Sequence, residues 1–223
     1  MLKKLTITAT FLSILSGCTI QNSFPVEYHK KTIENVEVKN IDSIGVTQWR
    51  DKRNLATVKD ELAEKAVMRM GPATIGMTSD GQEFVRVADF IRNAFIDELQ
   101  SLGVNAKKID IIPASSEAKL LSNIAINNQV EMLISADLMS FDVNCHGAWT
   151  LDCNRNVSFS LSLVNKLGEE LITRELFDAT MANNEGMGVL HKTLLDQLTN
   201  EVMSSALKKA VIRTVEEINK ESN

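Results

Sequence analysis

Residues 156–164 read NVSFSLSLV, in which polar and apolar side chains alternate from Asn156 to Leu163. Successive side chains of a β-strand point to opposite faces, so this pattern predicts a strand with one buried face and one face toward water. The predicted buried side chains are apolar and the predicted outward ones are serines: Val157, Phe159, Leu161 and Leu163 against Ser158, Ser160 and Ser162.

The neighbouring sequence places this strand in a meander. Residues 165–168 (NKLG) are typical of a turn, and residues 170–179 form the predicted return strand. A long strand is predicted before it, over 130–143. Residues 144–156 are predicted to be a polar connection and residues 181–187 a loop. The whole region is therefore predicted to be an antiparallel meander with one wet face.

The clearest helix lies upstream, over 85–102. Its apolar side chains recur at helical spacing: Val87, Ile91, Phe95 and Leu99. Gly103 follows where a left-handed helix cap belongs. Further helices are predicted over 115–128 and 189–218, and strands over 33–38, 41–49 and 104–112. This order predicts an α+β fold (an α/β sandwich), in which a mixed, largely antiparallel sheet has its helices packed on one face.

The stretch 50–82 has mixed signals, and no fold is assigned to it. Asp51 and Arg53 follow the strand predicted over 41–49. They could be a binding pair. A capping aspartate in a surface salt bridge is the favoured interpretation, because exposed ion pairs are common and weak.

The N-terminus has the pattern of a bacterial lipoprotein signal. Lys3 and Lys4 precede a short apolar run, and Leu15-Ser16-Gly17-Cys18 matches a lipobox. The run is too short for a stable transmembrane helix. We therefore expect cleavage before Cys18 and lipidation of its thiol, with palmitate among the attached acyl chains. The alternative is an ordinary signal peptide with a chance cysteine.

Cleavage at this site divides the chain into three parts. Residues 1–17 are the predicted signal peptide, 18–32 a tether and 33–220 a single periplasmic α/β domain. Thr19 follows the lipidated cysteine where an aspartate would favour retention at the inner membrane. By resemblance to that sorting rule, we expect the periplasmic face of the outer membrane.

The charge of the chain excludes two classes of partner. Removal of Lys3 and Lys4 takes the formal net charge from −5 to about −7. An acidic protein without a run of basic residues is a poor candidate for nucleic-acid binding. It is equally poor at electrostatic adhesion to anionic lipid, so membrane attachment is expected to be covalent.

The chain has three cysteines. If Cys18 carries lipid, Cys145 and Cys153 remain as a pair that an oxidising periplasm would allow to form a disulfide. Two free thiols, or half of a metal site, are the alternatives. Structural zinc requires four ligands, and His146 is the only histidine beside the pair. No metal and no cofactor is predicted.

No catalytic constellation is recognised in the sequence. There is no Gly-x-Ser-x-Gly turn and no glycine-rich phosphate loop. Asp137 and Asp142 are predicted on opposite faces of one strand, where they could not act as an acid–base pair by themselves. We therefore expect that the protein is not an enzyme.

Three short motifs carry a family resemblance. They are Ile44-Gly45-Val46 with Asp51 and Arg53, the helix end at 95–99 with Leu102-Gly103-Val104, and Ala136-Asp137-Leu138 before a serine-rich strand. With the order of elements, they resemble the YajG-like outer-membrane lipoproteins. More loosely, they resemble a domain shared by the curli secretion lipoprotein and the N-terminal domain of TolB. The resemblance implies an envelope assembly or accessory factor.

Two functions follow as expectations. The first is a protein-binding accessory role toward another envelope protein or a second copy. The second is a ligand- or lipid-carrying role in an envelope transport system. For the first, the expected contact surface is the serine face with the cysteine loop: Trp149, Ser158, Ser160 and Ser162. A plain solvated sheet face is the alternative.

Overall fold

The computed structural model describes residues 24–25, 28–31, 33, 36–39, 43–53, 67–68, 86–146, 150–186 and 191–221. Cys18, Trp149 and most of the unassigned stretch 50–82 lie outside the described residues. The predictions about the signal peptide and about lipidation therefore remain predictions.

Helices form where the sequence predicts them. The described helices are α1 (Val87–Ser101), α2 (Ala118–Asn127) and α3 (His191–Glu221). The described strands are β1 (Phe24–Pro25), β2 (Ile44–Thr47), β3 (Arg50–Asp51), β4 (Val67–Met68), β5 (Ala106–Ile109), β6 (Met132–His146), β7 (Thr150–Asn165) and β8 (Glu170–Gly186).

The main sheet has six strands in the order β5-β2-β6-β7-β8, with β3 paired to β6. β2 runs parallel to both β5 and β6, whereas β6, β7 and β8 are antiparallel to their neighbours. β1 and β4 form a separate antiparallel pair. The predicted α+β class, the mixed sheet and the meander are confirmed.

The helices lie on both faces of the sheet, not on one face as predicted. The core with α1 and α3 includes Ile134 and Leu163, whereas α2 packs with Leu133 and Val164, which point the other way. β5 and β6 flank β2 on opposite sides, so the crossover from β5 to β6 runs opposite to that from β2 to β5. Because parallel crossovers are right-handed, this reversal moves the second helix to the other face.

Both crossover helices end in the same backbone motif. Gly103, after α1, has a φ of +89°, and the N–H of Val104 donates to the Leu99 carbonyl at 3.1 Å. Gln129 occupies the corresponding position after α2 with a φ of +54° and the same bond pattern. These Schellman motifs turn each helix directly into the strand that follows. The predicted glycine cap is confirmed, and the second cap uses a residue less suited to this backbone.

The strands of the meander are longer than predicted. β6 continues to His146 and β7 begins at Thr150, so most of the connection predicted over 144–156 is strand. β8 likewise runs through most of the loop predicted over 181–187. The register pairs these polar residues across the ribbon, and ladder hydrogen bonds do not require an apolar side chain. Both loop predictions are wrong for this reason.

Aromatic side chains join the sheet to α1. The ring centroids of Trp49 and Phe95 are 5.8 Å apart, and those of Trp49 and Phe159 are 4.9 Å apart. Strict alternation from Val46 would place Trp49 on the opposite face of the strand, yet both lie in the core under α1. β2 ends at Thr47, so strict alternation does not reach Trp49.

The described residues between 28 and 39, which we call the strap, lie along α3. The backbone N–H of His29 donates to Asn200 Oδ1 at 2.6 Å. The backbone N–H of Lys39 donates to Asn219 Oδ1 at 2.8 Å. These contacts fix the strap near both ends of its course.

The strap changes two predictions. Its described residues within 33–38 form no strand, and the Glu37 carbonyl accepts a hydrogen bond from Asn219 Nδ2 of α3 at 2.8 Å. Residues 28–31, predicted as the end of the tether, are held against the domain. Tyr28 and His29 therefore contact α1 and α3.

Candidate functional site

One face of the meander formed by β6, β7 and β8 is a polar surface. α2 packs on this face at Leu133 and Val164, near the start of β6 and the end of β7. Farther along, the same face carries a group of side chains that we call the meander face: Ser140, Asp142, Asn156, Ser158, Ser160, Leu176, Asp178 and Thr180. Its members on β8 are exposed, and those on β7 are half-buried.

Cross-strand hydrogen bonds connect the meander face. Ser140 Oγ and Ser158 Oγ are 2.7 Å apart, and Asn156 Nδ2 donates to Ser140 Oγ at 3.0 Å. Thr180 Oγ1 donates to Asn156 Oδ1 at 3.1 Å. Side chains from three strands thus form one network, which fixes their orientation without an apolar layer above them.

The three predicted contact serines have different surroundings. Ser158 and Ser160 lie on the meander face, half-buried. Ser162 is only 4% exposed, and its Oγ accepts a hydrogen bond from the backbone N–H of Arg174 at 3.2 Å. The expectation that Ser162 faces water is therefore wrong, because a neighbouring strand covers and uses its hydroxyl.

A bulge in β6 changes which acidic side chains share this face. The register pairs Leu138 and then Ser140 with successive residues of β7, and it skips Met139. Because of this extra residue, Asp137 and Asp142 lie on the same face, not on opposite faces as predicted. The Asp137 carboxylate is already paired with the Arg50 guanidinium.

The meander face is acidic. It contains Asp142 and Asp178, both exposed, and none of its eight members is a lysine or arginine. Its one large apolar side chain, Leu176, is 59% exposed. A complementary surface would present cations or N–H donors and a shallow apolar depression.

The free backbone edge of the meander belongs to β8. β7 is flanked by β6 and β8, so its backbone groups are used in two ladders. β8 ends the strand order, and Arg174 within it has a φ of +45° where the register with β7 shifts. A bulge of this kind twists an edge strand away from regular pairing with another chain.

Cys145 and Cys153 are directly opposite each other in the register of β6 and β7. Opposite residues in an antiparallel pair have Cα atoms about 4.5–5.5 Å apart, which is within the range of a disulfide. Cys153 is buried and alternates with Asn154, so it lies on the side away from the meander face. The cysteine pair therefore does not rim the serine face as expected.

Arg155 is a buried residue that sequence reasoning missed. It is 3% exposed on the same side as Cys153, and burial lowers the pKa of its guanidinium to about 9. A clue was available, because Arg155 occupies an apolar position in the alternation of 153–163. The polar composition of 144–156 predicts a loop instead, and in a loop that alternation has no meaning.

The ion pair of Asp51 and Arg53 forms as predicted but is not on the surface. Asp51 Oδ1 accepts a hydrogen bond from the backbone N–H of Arg53. Arg53 Nη2 lies 2.6 Å from Asp51 Oδ2, and only about a tenth of each side chain is exposed. Arg50, the residue before Asp51, donates hydrogen bonds to the side chains of Asp137 and Ser116 and to the Pro113 carbonyl. Arg50 is buried and connects β3 to β6 and to residues 113–116, which is a structural role.

The described residues contain no group of three or more side chains suited to hold a metal ion. None of the described helices combines the length and the apolar character that a membrane span requires.

No family model and no curated protein matches the chain. A crystal structure from Xanthomonas campestris, described by the family model DUF330, superposes with a TM-score of 0.53 at 7% identity and covers 89% of this chain and 97% of its own. Lipoprotein GNA1162 from Neisseria meningitidis has a TM-score of 0.29 at 16% identity, with 78% and 97% coverage. A minor lipoprotein from Acinetobacter baumannii has a TM-score of 0.28 at 11% identity, and the match covers 47% of this chain and 87% of its own.

These likenesses concern the fold. The Xanthomonas protein shares the architecture of this chain. Named bacterial lipoproteins also match this chain, with lower TM-scores. The more specific resemblance to YajG-like lipoproteins remains a prediction from the sequence.

Proposed function

We propose that this chain is a YajG-like lipoprotein, anchored by lipid to the periplasmic side of the outer membrane. It acts as an accessory factor that binds another envelope protein or a second copy, and it performs no catalysis. The meander face is the binding surface. The observation that carries the proposal is a ribbon of 15-, 16- and 17-residue strands whose outer polar face extends beyond α2.

The form of this ribbon supports a contact role. Strands in globular proteins usually have about 3–10 residues, so the three strands of the ribbon are longer than is needed to pack against a single layer of helices. The network of Ser140, Asn156 and Thr180 keeps the face ordered before any partner arrives. A preorganised surface loses less side-chain entropy on association.

The lipobox supports the anchoring part of the proposal. Tyr28, held in the strap, comes ten residues after Cys18. Ten residues span at most roughly 36 Å, so an acylated Cys18 keeps the domain close to the bilayer. Mass spectrometry of the mature N-terminus tests this part, and an unmodified Cys18 would contradict it.

A disulfide between Cys145 and Cys153 belongs to the same proposal. Their direct pairing across β6 and β7 and the burial of Cys153 support it. A bridge at the end of the ribbon would hold β6 and β7 in register beyond the helices. Trp149 lies between the two cysteines in sequence and stays part of the proposed contact region.

In-cell photocrosslinking tests the function directly. A photoreactive residue at Thr180, exposed on the meander face, is expected to give a discrete adduct with a second protein chain. The same residue at Leu167, which is 78% exposed in the turn at the opposite end of the hairpin, is the control. Adducts from position 167 alone would contradict the proposal.

A ligand-carrying role is the second candidate. The observation that favours it is a cavity of about 270 Å³ beside the strap, distant in the fold from the meander face.

A further inference from the structure

The outer edge of β8 is open beyond its bulge. Arg174 lies where the register with β7 shifts near the start of the strand, and the pairing is regular from Glu175 to Gly186. β8 ends the strand order, and no strand within the described residues pairs with its outer side. A long and regular edge strand offers its unpaired N–H and C=O groups to another chain.

Lys209 of α3 shows which backbone groups point outward from β8. Its Nζ donates a hydrogen bond to the Asp178 carbonyl at 2.8 Å, so this carbonyl lies outside the ladder with β7. Because the backbone groups of alternate residues point to the same side of a strand, those of Thr180, Ala182 and Asn184 also point away from β7. The Lys209 ammonium group occupies one edge carbonyl, and the open stretch therefore begins after Asp178.

The open stretch has none of the usual protection of an edge strand. Residues 179–184 read ATMANN, without a charged side chain or a proline, and the register shows no bulge among them. Natural edge strands commonly block pairing with another chain by one of these three devices. Thr180, Ala182 and Asn184 are all exposed, so the side chains leave this edge accessible.

The same edge of a second copy is complementary to this stretch. In an antiparallel arrangement about a two-fold axis at Ala182, Thr180 of each copy lies opposite Asn184 of the other. These pairs and the central alanine pair can each exchange both of their N–H···O bonds, since all three residues point their backbone groups outward. Asp178 comes opposite Gly186 of the second copy, so like charges do not meet. The small side chain of Ala182 suits the axis, where two identical side chains are neighbours.

We propose that the protein forms a two-fold dimer in which the β8 edges of two copies pair in antiparallel fashion around Ala182. The main sheets of the two copies then form one continuous sheet, and both meander faces lie on the same side of it. This contact uses a strand edge instead of the meander face, so it goes beyond the function proposed above and does not rest on it.

Cysteine crosslinking of the full-length protein in intact cells tests the contact. Opposite residues that exchange hydrogen bonds have Cα atoms about 5.5 Å apart, which is within the range of a disulfide. Ala182→Cys should therefore give, after mild oxidation, a dimer of twice the chain mass that is lost on reduction. Thr173→Cys is the matched control, because Thr173 is exposed on the same strand but lies before the bulge. The wild type shows any crosslinking by the native cysteines.

Two further variants test the register. Thr180→Cys or Asn184→Cys alone would place the two thiols of a dimer about 14 Å apart along the strands, too far for a disulfide. When both variants are produced in the same cell, their cysteines face each other and the linked dimer should appear. Ala182→Lys in both chains brings like charges together at the axis and should abolish this dimer, whereas Leu167→Lys in the distant turn should leave it unchanged.

Several results would overturn the proposal. They are the absence of a dimer from Ala182→Cys, an equal yield from Thr173→Cys, and a dimer from Thr180→Cys alone as abundant as that from the mixed chains. Persistence of the mixed dimer in the Ala182→Lys background would also reject it. A crosslink between two copies has twice the mass of one chain, which distinguishes it from an adduct between the meander face and a different protein.

Discussion

The guanidinium carbon of Arg155 lies 3.8 Å from the centroid of the Phe141 ring. Its Nε and one terminal nitrogen are buried without a hydrogen-bond partner within the described residues. A desolvated cation–π contact contributes about 2 kcal/mol, whereas burying a charge costs several kcal/mol. The ring therefore offsets only part of the cost of burying this cation.

Arg155→Met should consequently stabilise the protein. A methionine fills a similar volume and needs no hydrogen bonds, so we expect a gain of about 1–3 kcal/mol in the free energy of unfolding. Denaturant unfolding measures it. Arg174→Met, at an exposed position of β8, is the control and should change little. A loss of stability in Arg155→Met would mean that the cation contributes more than its burial costs.

Stability should also depend on Glu217 in acid. A hydrogen bond from Lys220, and then one from Arg213, lowers the pKa of Glu217 below its ordinary 4.5. The folded state then binds fewer protons than the unfolded state, so this contribution is present at neutral pH and is lost as the pH falls through the lowered pKa.

Glu217→Gln is therefore expected to cost about 0.5–1 kcal/mol at pH 7 and nothing once the wild-type carboxylate is protonated. Chemical unfolding of both proteins across this pH range gives the difference. Glu216→Gln should have the smaller effect, because Glu216 is 58% exposed and 3.9 Å from Arg213. An equal deficit at low pH would point to lost packing instead of lost charge.

The two crossover caps give a matched pair of backbone predictions. Gln129→Gly should raise the free energy of unfolding by about 0.5–1 kcal/mol, because glycine adopts its φ of +54° without strain. Gly103→Ala should lower it by about 1 kcal/mol or more, because its φ is +89°. Thermal unfolding measures both the gain and the loss of stability. A destabilised Gln129→Gly variant would show that the side chain makes a contact worth more than the strain.

The cysteine pair predicts a chemical result. Alkylation of denatured protein taken directly from the periplasm, without reductant, should label neither Cys145 nor Cys153, and labelling should appear only after reduction. Peptide mass spectrometry detects it. Labelling of both thiols before reduction would exclude the bridge.

Much of this fold follows from sequence periodicity. The helical stripe through Ile91 and Phe95 predicts α1, and the alternation through Phe159 and Leu161 predicts β7. In both, a buried apolar face imposes one period. The placement of α2 on the opposite face required the strand order as well, since handedness determines the side only when the direction of the crossover is known.

The remaining errors have local causes. Met139 is one extra residue in β6, and it reverses the expected face of Asp142. Arg155 and Cys153 lie where polar composition suggests a loop, although ladder pairing continues there. The contact of Tyr28 with Glu98 joins residues 70 positions apart, and no local pattern signals it.

Capture of a protein partner by the meander face can be tested with a single variant. Ser160→Arg adds a long cation to the half-buried centre of this face, with Leu167→Arg as the matched control in the distant turn. The measured quantity is the yield of the photocrosslinked adduct from position 180, in variants verified to keep their thermal stability. We expect Ser160→Arg to abolish the adduct and Leu167→Arg to leave it unchanged. An undiminished adduct in a folded Ser160→Arg protein would contradict it.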